Sequence, residues 1–499
     1  MNELLQGLKQ ETNYAYTQNG DLTHKSTLSK VLDLFAFGGA YRGRDKQDVI
    51  QLFSDAYDEN PELALKCLFY IRDIRGGAGE REFFRVCLKW LADNHPDAAR
   101  RNLEFVPFVG RWDDLFCMMG TQLTVDVLAL FDRQLRLDLQ STTPSLAAKW
   151  APSVNASSEQ RKKYAQILTS YMRLTAREYR KMLTALRAKI RIVETLMSQN
   201  RWDEIEFDKL PSKAGFKYRN AFAHNDITRE RYEAFMKSNT TKVNGKTLFP
   251  YEVVKAAAKE YQLNYYDQAP TTNRAAINKY WDNLKDYFDG AEFNGIAVVD
   301  TSASMLNGAA SVAPMEIAVS LGMYCAMKGE GPFKNHYISF SREAKLVGIT
   351  GKDFVEKVGR IYDDNLCQNT NIESVFNLLH KTIKNFNIPN DKIPEYLVII
   401  SDQQYDQATA SLHDWRNDET PQTTLERIRA QWKAEGIKCP KMIFWNVNAE
   451  NLTIPALGNN AYSYVSGFSP AIFKQIMSNK TGEELMLETI CADRYKDIK

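Results

Sequence analysis

Two apolar runs that each end on an acid constrain this chain more than any other feature. Gly295-Ile296-Ala297-Val298-Val299 leads into Asp300, and Glu395-Tyr396-Leu397-Val398-Ile399-Ile400-Ser401 leads into Asp402. Short, almost uninterrupted runs rich in Val, Ile and Leu read as strands buried on both faces, the pattern of a parallel sheet. Parallel strands need crossover helices, and the sequence between and after the runs supplies them. Pro314–Lys328 is a largely apolar helix opened by proline. His336–Ser341 and Ala344–Thr350 form a hairpin-like strand pair, and Thr424–Glu435 is a helix ended by Gly436. Lys441–Val447 and Tyr462–Val465 are further strands, with two helices following. Strands alternating with helices at this spacing predict a doubly wound α/β domain over 290–499.

The first acid belongs to Asp300-Thr301-Ser302-Ala303-Ser304, a D-x-S-x-S loop at a strand end. Alternate residues of an extended loop point the same way, so one carboxylate and two hydroxyls converge. Hard oxygens of this kind suit a small divalent cation, Mg²⁺ or Mn²⁺, which keeps water or a partner ligand in its shell. Gln368-Asn369-Thr370-Asn371-Ile372 sets another hydroxyl just before an amphipathic helix with Ile372, Val375, Phe376 and Leu379 on one face. In an open α/β sheet the loops at the carboxyl ends of the strands meet at one crevice, which would gather Asp300, Ser302, Ser304, Thr370 and Asp402. The alternative is that Asp300 and the serines cap a helix. The order of these elements resembles the metal-ion-dependent adhesion site of von Willebrand factor A domains. That resemblance implies direct ligation by Ser302, Ser304 and Thr370, with Asp300 and Asp402 acting largely through water. The more usual glycine of the motif is Ala303 here.

At 499 residues and 44% hydrophobic, the chain can bury more than one core. No run of about 18 apolar residues is present, so no membrane span is expected. Met1-Asn2-Glu3-Leu4-Leu5-Gln6 lacks the basic-then-apolar form of a signal peptide. The seven cysteines are scattered and contain no CxxC, which suits reduced thiols and a cytoplasmic setting. The six histidines show no metal-ligand spacing. No nucleophile elbow, Cys/His pair or Walker motif is visible, so a non-enzymatic protein is expected. A metal-dependent nuclease would need more than two carboxylates and a paired-metal arrangement.

The net charge of +2 hides an asymmetry: residues 1–285 carry 43 Lys and Arg against 35 Asp and Glu, whereas 286–499 carry 21 against 27. The basic part, over 25–285, reads as short helices: Ser29–Phe37, Lys46–Glu59, Pro61–Arg72, Glu80–Asn94, Asp97–Val106 and Trp112–Met119. Short helices in series suggest a HEAT-like α-solenoid, with an irregular bundle as the alternative. Within it, Arg161–Val193 contains Arg161, Lys162, Lys163, Arg173, Arg177, Arg180, Lys181, Arg187, Lys189 and Arg191 against one acid, Glu178. A cationic stripe at helical spacing can neutralise phosphates, and Tyr164, Tyr171 and Tyr179 lie between the charges as base-stacking candidates. A solvated surface helix is the alternative. Lys213 and Lys217, in the basic, aromatic-bearing Pro211–Arg219 loop, form a second candidate contact. Gly76, Gly77 and Gly79 read as a turn between helices, with Glu80 starting the next one.

Arg72-Asp73-Ile74-Arg75-Gly76-Gly77-Ala78-Gly79-Glu80-Arg81, Val109-Gly110-Arg111-Trp112-Asp113-Asp114-Leu115 and the stretch from Tyr179 to Trp202 resemble segments of Ro autoantigen-type (TROVE-module) proteins. The resemblance covers roughly 25–490 and is nearest to the Ro-like branch that ends in a von Willebrand A domain. It implies a monomeric ring of HEAT repeats over 1–285, closed by the A domain. It also implies a partner in small structured or misfolded RNA with a single-stranded end. The resulting expectation is an RNA-binding scaffold whose metal site closes the ring or recruits a partner carboxylate. The alternative is a protein–protein adaptor acting mainly through the metal.

Overall fold

The computed structural model describes residues 3–263, 271–306, 312–363, 370–406, 422–448, 453–457, 461–477 and 480–499. By packing, the chain divides into two units: 1–83 with 246–496, and 84–245 with 497–499. The local sequence pattern changes from helical to alternating at 285–290, which is not where the packing divides the chain. Periodicity reveals the type of an element and not its packing partner, and residues 1–83 and 246–285 pack with the sheet.

The first unit opens with a hairpin, β1 (Tyr14–Tyr16) and β2 (Leu22–His24), paired antiparallel with Tyr14 opposite His24. Its main sheet has six strands: β3 (Gly295–Asp300), β4 (His336–Phe340), β5 (Ala344–Gly348), β6 (Tyr396–Ser401), β7 (Lys441–Asn446) and β8 (Tyr462–Ser466). They lie in the order β5-β4-β3-β6-β7-β8, all parallel except the antiparallel β4–β5 pair. Strands β3, β6, β7 and β8 are buried along their whole lengths, in keeping with their apolar runs, whereas β5 is a largely exposed edge. The Pro314–Lys328 helix is buried over nearly all its length, and Gly322 lets it approach β3. A Cβ there would stand 2.3 Å from Val299 Cγ2.

Earlier segments complete this core. Ser466 at the end of β8 accepts the Gly39 amide at 3.0 Å and donates to the Phe35 carbonyl at 3.3 Å, joining β8 to the Lys30–Phe37 helix. The Gly-rich turn is held by its acids: Asp73 pairs with Arg494 and accepts the Tyr495 hydroxyl at 2.9 Å, while Glu80 pairs with Arg42 at 2.7 Å. Gly79 takes the left-handed conformation (φ +72). Glu80 also accepts the Glu82 amide at 2.9 Å, so it precedes the helix, which starts at Glu82. Trp281, from the Thr272–Asp282 helix, stacks on Phe354 at 4.0 Å.

The second unit is helical and less regular than its sequence suggests. The expected Asp97–Val106 helix is two, Pro96–Arg101 and Phe105–Val109. Between them, the Asn102 side chain bonds its own helix at the Ala98 carbonyl and also the backbone of Lys499. Trp112–Met118 winds as a 3-10 helix; Asp114 accepts the Arg111 amide at 2.9 Å, Arg111 pairs with Asp113, and Trp112 is buried. The basic stretch is also two helices, Glu159–Tyr171 and Ala176–Ile190. Arg173 breaks it with φ +58, and Thr175 then caps the second helix in a reciprocal pair of bonds with Glu178. The single acid of the stretch is thereby engaged in the cap.

Candidate functional site

The carboxyl edge of the sheet is built by strand register. Val299 pairs with Ile400, so Asp300 stands level with Ser401, and Ser401 pairs with Asn446 on β7. The chain leaves β3 for β4 on one side and returns to β6 on the other, which makes β3/β6 the point where the strand order reverses. Asp300 is wholly buried. Its Oδ1 accepts the Ser302 amide at 2.9 Å, and its Oδ2 accepts the Ser401 hydroxyl at 2.5 Å. Burial pushes this carboxyl up to about 6, the bonds to Ser401 and Ser302 oppose the rise, and the charge of Asp406 adds to it.

Ser302 and Ser304 hydroxyls lie 3.1 Å apart. The segment carrying them is not extended, however: Ala303–Leu306 closes a 3-10 turn, with the Met305 amide bonded to the Ser302 carbonyl at 3.2 Å. The bond from the Ser302 amide to Asp300 is a capping bond, so the turn uses Asp300 structurally while its carboxylate still faces Ser401. Thr370 is buried; its carbonyl accepts the Asp406 amide at 2.9 Å, and the next residue, Asn371, donates its amide to Ser341 beyond β4 at 2.8 Å. Gln368 and Asn369 lie outside the described residues. Asp402 is buried, and its Oδ1 accepts the Gln404 amide at 3.2 Å.

These five residues offer two carboxylates and three hydroxyls. Among the described residues, no group of three or more His, Cys, Asp or Glu is placed to hold a metal. The hydroxyl-rich set is of a different kind. The hydrogen-bond donors to Asp300 are neutral, and a buried carboxylate of this sort fits a small hard cation that would offset its charge. The same edge carries further polar atoms: Gln403 Oε1, Gln404 Nε2 and Asn446 Nδ2 are buried with no hydrogen-bond partner among the described residues.

Over this edge lies the hairpin, which sequence reasoning missed. Asn19-Gly20 between two short alternating segments was the available signal, since that dipeptide favours tight hairpin turns.

The second candidate is the Ala176–Ile190 helix. Tyr179, Leu183 and Leu186 form its buried face, and the Tyr179 hydroxyl donates to the Pro152 carbonyl at 2.9 Å. Arg177, Arg180 and Lys181 stand exposed on the other face and line a shallow groove with Thr184 and Ala185; Arg173 is exposed at the preceding turn. Arg173, Arg177 and Lys181 form no salt bridge among the described residues, and Arg180 donates only to its own helix, at Ala176.

Arg161, Arg187, Lys189 and Arg191 are engaged elsewhere. Arg187 is half-buried and donates to the Ala148 and Ala151 carbonyls and the Ser153 hydroxyl at 2.9–3.0 Å; burial lowers its pKa. Lys189 donates to the Leu139 carbonyl at 2.6 Å, Arg191 pairs with Glu206 at 3.2 Å, and Arg161 pairs with Asp113 at 3.4 Å. Of the three tyrosines, Tyr179 is buried, Tyr164 stacks on Phe116, and Tyr171 is 39% exposed. The Pro211–Arg219 segment is not a loop but contains the Ser212–Lys217 helix. Lys213 and Lys217 are exposed on it, with Lys217 over the Tyr218 ring at 4.8 Å. His224 bonds the Asn220 carbonyl one turn back in its own helix at 2.7 Å.

Two families described as domains of unknown function match the chain: DUF2828 over residues 17–114 and 155–288, and DUF7788 over 294–497. The chain is similar to the uncharacterized protein L728 of Acanthamoeba polyphaga mimivirus, at 29% identity over 93% of this chain and 85% of that protein. Among solved structures, the Deinococcus radiodurans RO (RSR) protein matches at a TM-score of 0.47 and 14% identity, over 93% of this chain and 99% of that one. No helix among the described residues is long and apolar enough to cross a membrane.

Proposed function

We propose that the chain is a non-enzymatic RNA-binding scaffold of the Ro type, taking small structured or misfolded RNA with a single-stranded end. One observation carries this reading: Arg177, Arg180 and Lys181 are exposed on one helix face with Arg173 at the turn before it, and none pairs with an acid among the described residues. Cations left free in this way can neutralise phosphates and release counterions, and arginine adds a planar fork matched to phosphate oxygens. Arg187 and Lys189 support the helix that presents them. Lys213 and Lys217, exposed on the Ser212–Lys217 helix, are the next candidate contacts. The test is a gel-shift titration, over a salt series, with a hairpin RNA bearing a single-stranded tail. Reversing Arg173, Arg177, Arg180 and Lys181 to Glu should weaken binding roughly tenfold or more while the protein stays folded. Unchanged affinity in the folded variant removes this face from the RNA site.

The sheet edge carries the second half of the proposal. Ser302, Ser304, Thr370, Asp300 and Asp402 would hold one Mg²⁺ or Mn²⁺, a Lewis-acidic centre able to take a carboxylate from a partner protein, as the von Willebrand A resemblance implies. The chain's own part is to bury Asp300 and aim the two serine hydroxyls at one another. Calorimetric titration with Mn²⁺ should show one site in the native protein and none in Asp300→Ala, with RNA affinity unchanged in that variant. Metal binding without any RNA binding would favour the adaptor reading.

A further inference from the structure

The hairpin β1–β2 belongs to neither half of the proposal so far, yet its turn is fastened to the segment that carries Asp402. Beyond β6 the chain continues as Asp402–Asp406, with Gln403 in the left-handed conformation (φ +63), which residues with a Cβ disfavour. On its inner side this segment is held by the Gln403 amide on Ser401 Oγ at 2.8 Å and the Asp406 amide on the Thr370 carbonyl at 2.9 Å. On its outer side it is held by the turn. Thr17 Oγ1 donates to the Tyr405 carbonyl at 2.7 Å, and Asn19 Nδ2 donates to the Gln404 carbonyl at 2.8 Å. The Gln18 amide donates to Gln404 Oε1 at 3.2 Å, and Gly20 bridges to Asp406.

The turn is itself anchored. Thr17 Oγ1 accepts the Asp21 amide at 3.0 Å, and Asp21 Oδ1 accepts the Thr424 hydroxyl at 2.6 Å. His24 exchanges backbone bonds with Ile454 at 2.8–2.9 Å, and its ring meets Glu426 at 3.1 Å. Four contacts therefore run from Thr17–Gly20 to the three consecutive residues Gln404–Asp406. Those residues lie between the carboxylate of Asp402 and the bond that fixes Thr370. Without Thr17 and Asn19, the carbonyls of Tyr405 and Gln404 lose these donors, and among the described residues of the turn only the Gln18 and Gly20 backbone contacts still oppose relaxation of Gln403 out of its disfavoured conformation.

We infer that Thr17 and Asn19 are positioning residues of the carboxyl-edge site, holding Gln403–Asp406 in the conformation that presents Asp402 and Thr370. This inference rests on the proposed cation site, and its test separates the two. The full-length chain is compared with Thr17→Val, Thr17→Ser and Asn19→Ala by Mn²⁺ calorimetry and, without added metal, by hydrogen exchange. Partners that orient ligands change metal affinity by roughly tenfold or more when removed. Thr17→Val and Asn19→Ala should therefore raise the Mn²⁺ Kd about tenfold and speed exchange of the Asp406 amide, leaving Tyr396–Ser401 protected. Thr17→Ser, which keeps the hydroxyl, should restore both to within about twofold of the parent. Unchanged Asp406 exchange in both Thr17→Val and Asn19→Ala overturns the positioning role, whatever the metal does. If the parent binds no Mn²⁺, the cation reading falls, and the exchange result alone then decides whether the turn holds the segment.

Discussion

The exposed face of the Ala176–Ile190 helix and the carboxyl edge of the sheet are built on opposite principles. The helix presents exposed cations that form no salt bridge among the described residues, and the binding proposed for it would come from that unpaired charge. The sheet edge holds most of its oxygens out of water, with directions set by strand register and with the hydrogen bonds of Asp300 already made. The difference teaches where substitutions should act. On the helix, a residue's importance depends on whether it faces outward; at the edge, it depends on which neighbours hold the residue in place.

The largest expected effect separates the two kinds of arginine on one helix. Arg187→Ala removes three hydrogen bonds and leaves the Ala148 and Ala151 carbonyls short of a donor. It should cost about 3 kcal/mol in urea unfolding. A loss under about 0.5 kcal/mol would place Arg187 among the free cations and blur the contrast.

Next comes a buried acid beside the sheet edge. Burial raises the Asp21 carboxyl to about 6, opposed by its bond from Thr424. A raised acid adds stability that is fully present below the unfolded value near 3.8 and is lost as pH rises through about 6. Asp21→Asn keeps an acceptor for Thr424 and should be about 2–3 kcal/mol more stable than the parent at pH 7, with the gap closing below about pH 4. Equal stability at both pH values would mean that Asp21 is ionised without cost.

The smallest effect belongs to Arg177→Ala. Its stability should stay within about 0.5 kcal/mol of the parent. The slope of log RNA affinity against log salt should fall by about one. A stability loss like that of Arg187 would make Arg177 structural too, and the outward face would then be a poor guide to function.

Where the sequence carried its own punctuation, the elements were legible to the residue. Lys46–Glu59 is capped by Asp45, and Pro61–Arg72 has Asn60 as its cap and proline at its first turn; Pro314–Lys328 likewise opens on proline. The sheet strands were legible because burial on both faces demands unbroken apolar runs. Other features depend on tertiary partners that no local pattern encodes. Asn102 splits a helix by bonding the backbone of Lys499, and Arg187 turns inward because Ala148, Ala151 and Ser153 offer acceptors. In the sequence Arg187 looks the same as Arg177, so the cationic stripe could be seen but not sorted. At the sheet edge, the residues of the D-x-S-x-S loop and both strand-end acids stood out, whereas the hairpin that braces them did not. Its strands are only three residues long, and its contacts lie far along the chain.

That separation has a consequence for synthesis. The bond from Thr17 to the Tyr405 carbonyl spans 388 residues, and the one from Asn19 to Gln404 spans 385. At typical translation rates of about 5–20 residues per second, the hairpin waits roughly 20–80 s for its acceptors to be made. Throughout that interval the β1–β2 ribbon lacks the Gln404–Asp406 segment it bonds, and two isolated three-residue strands do not hold together alone in water. The nascent chain therefore carries the ribbon without its partner over that interval, and the brace closes only after β6 has been laid down. A protease or chaperone that recognises extended segments would meet residues 13–24 during elongation and lose access to them once the segment after β6 has docked.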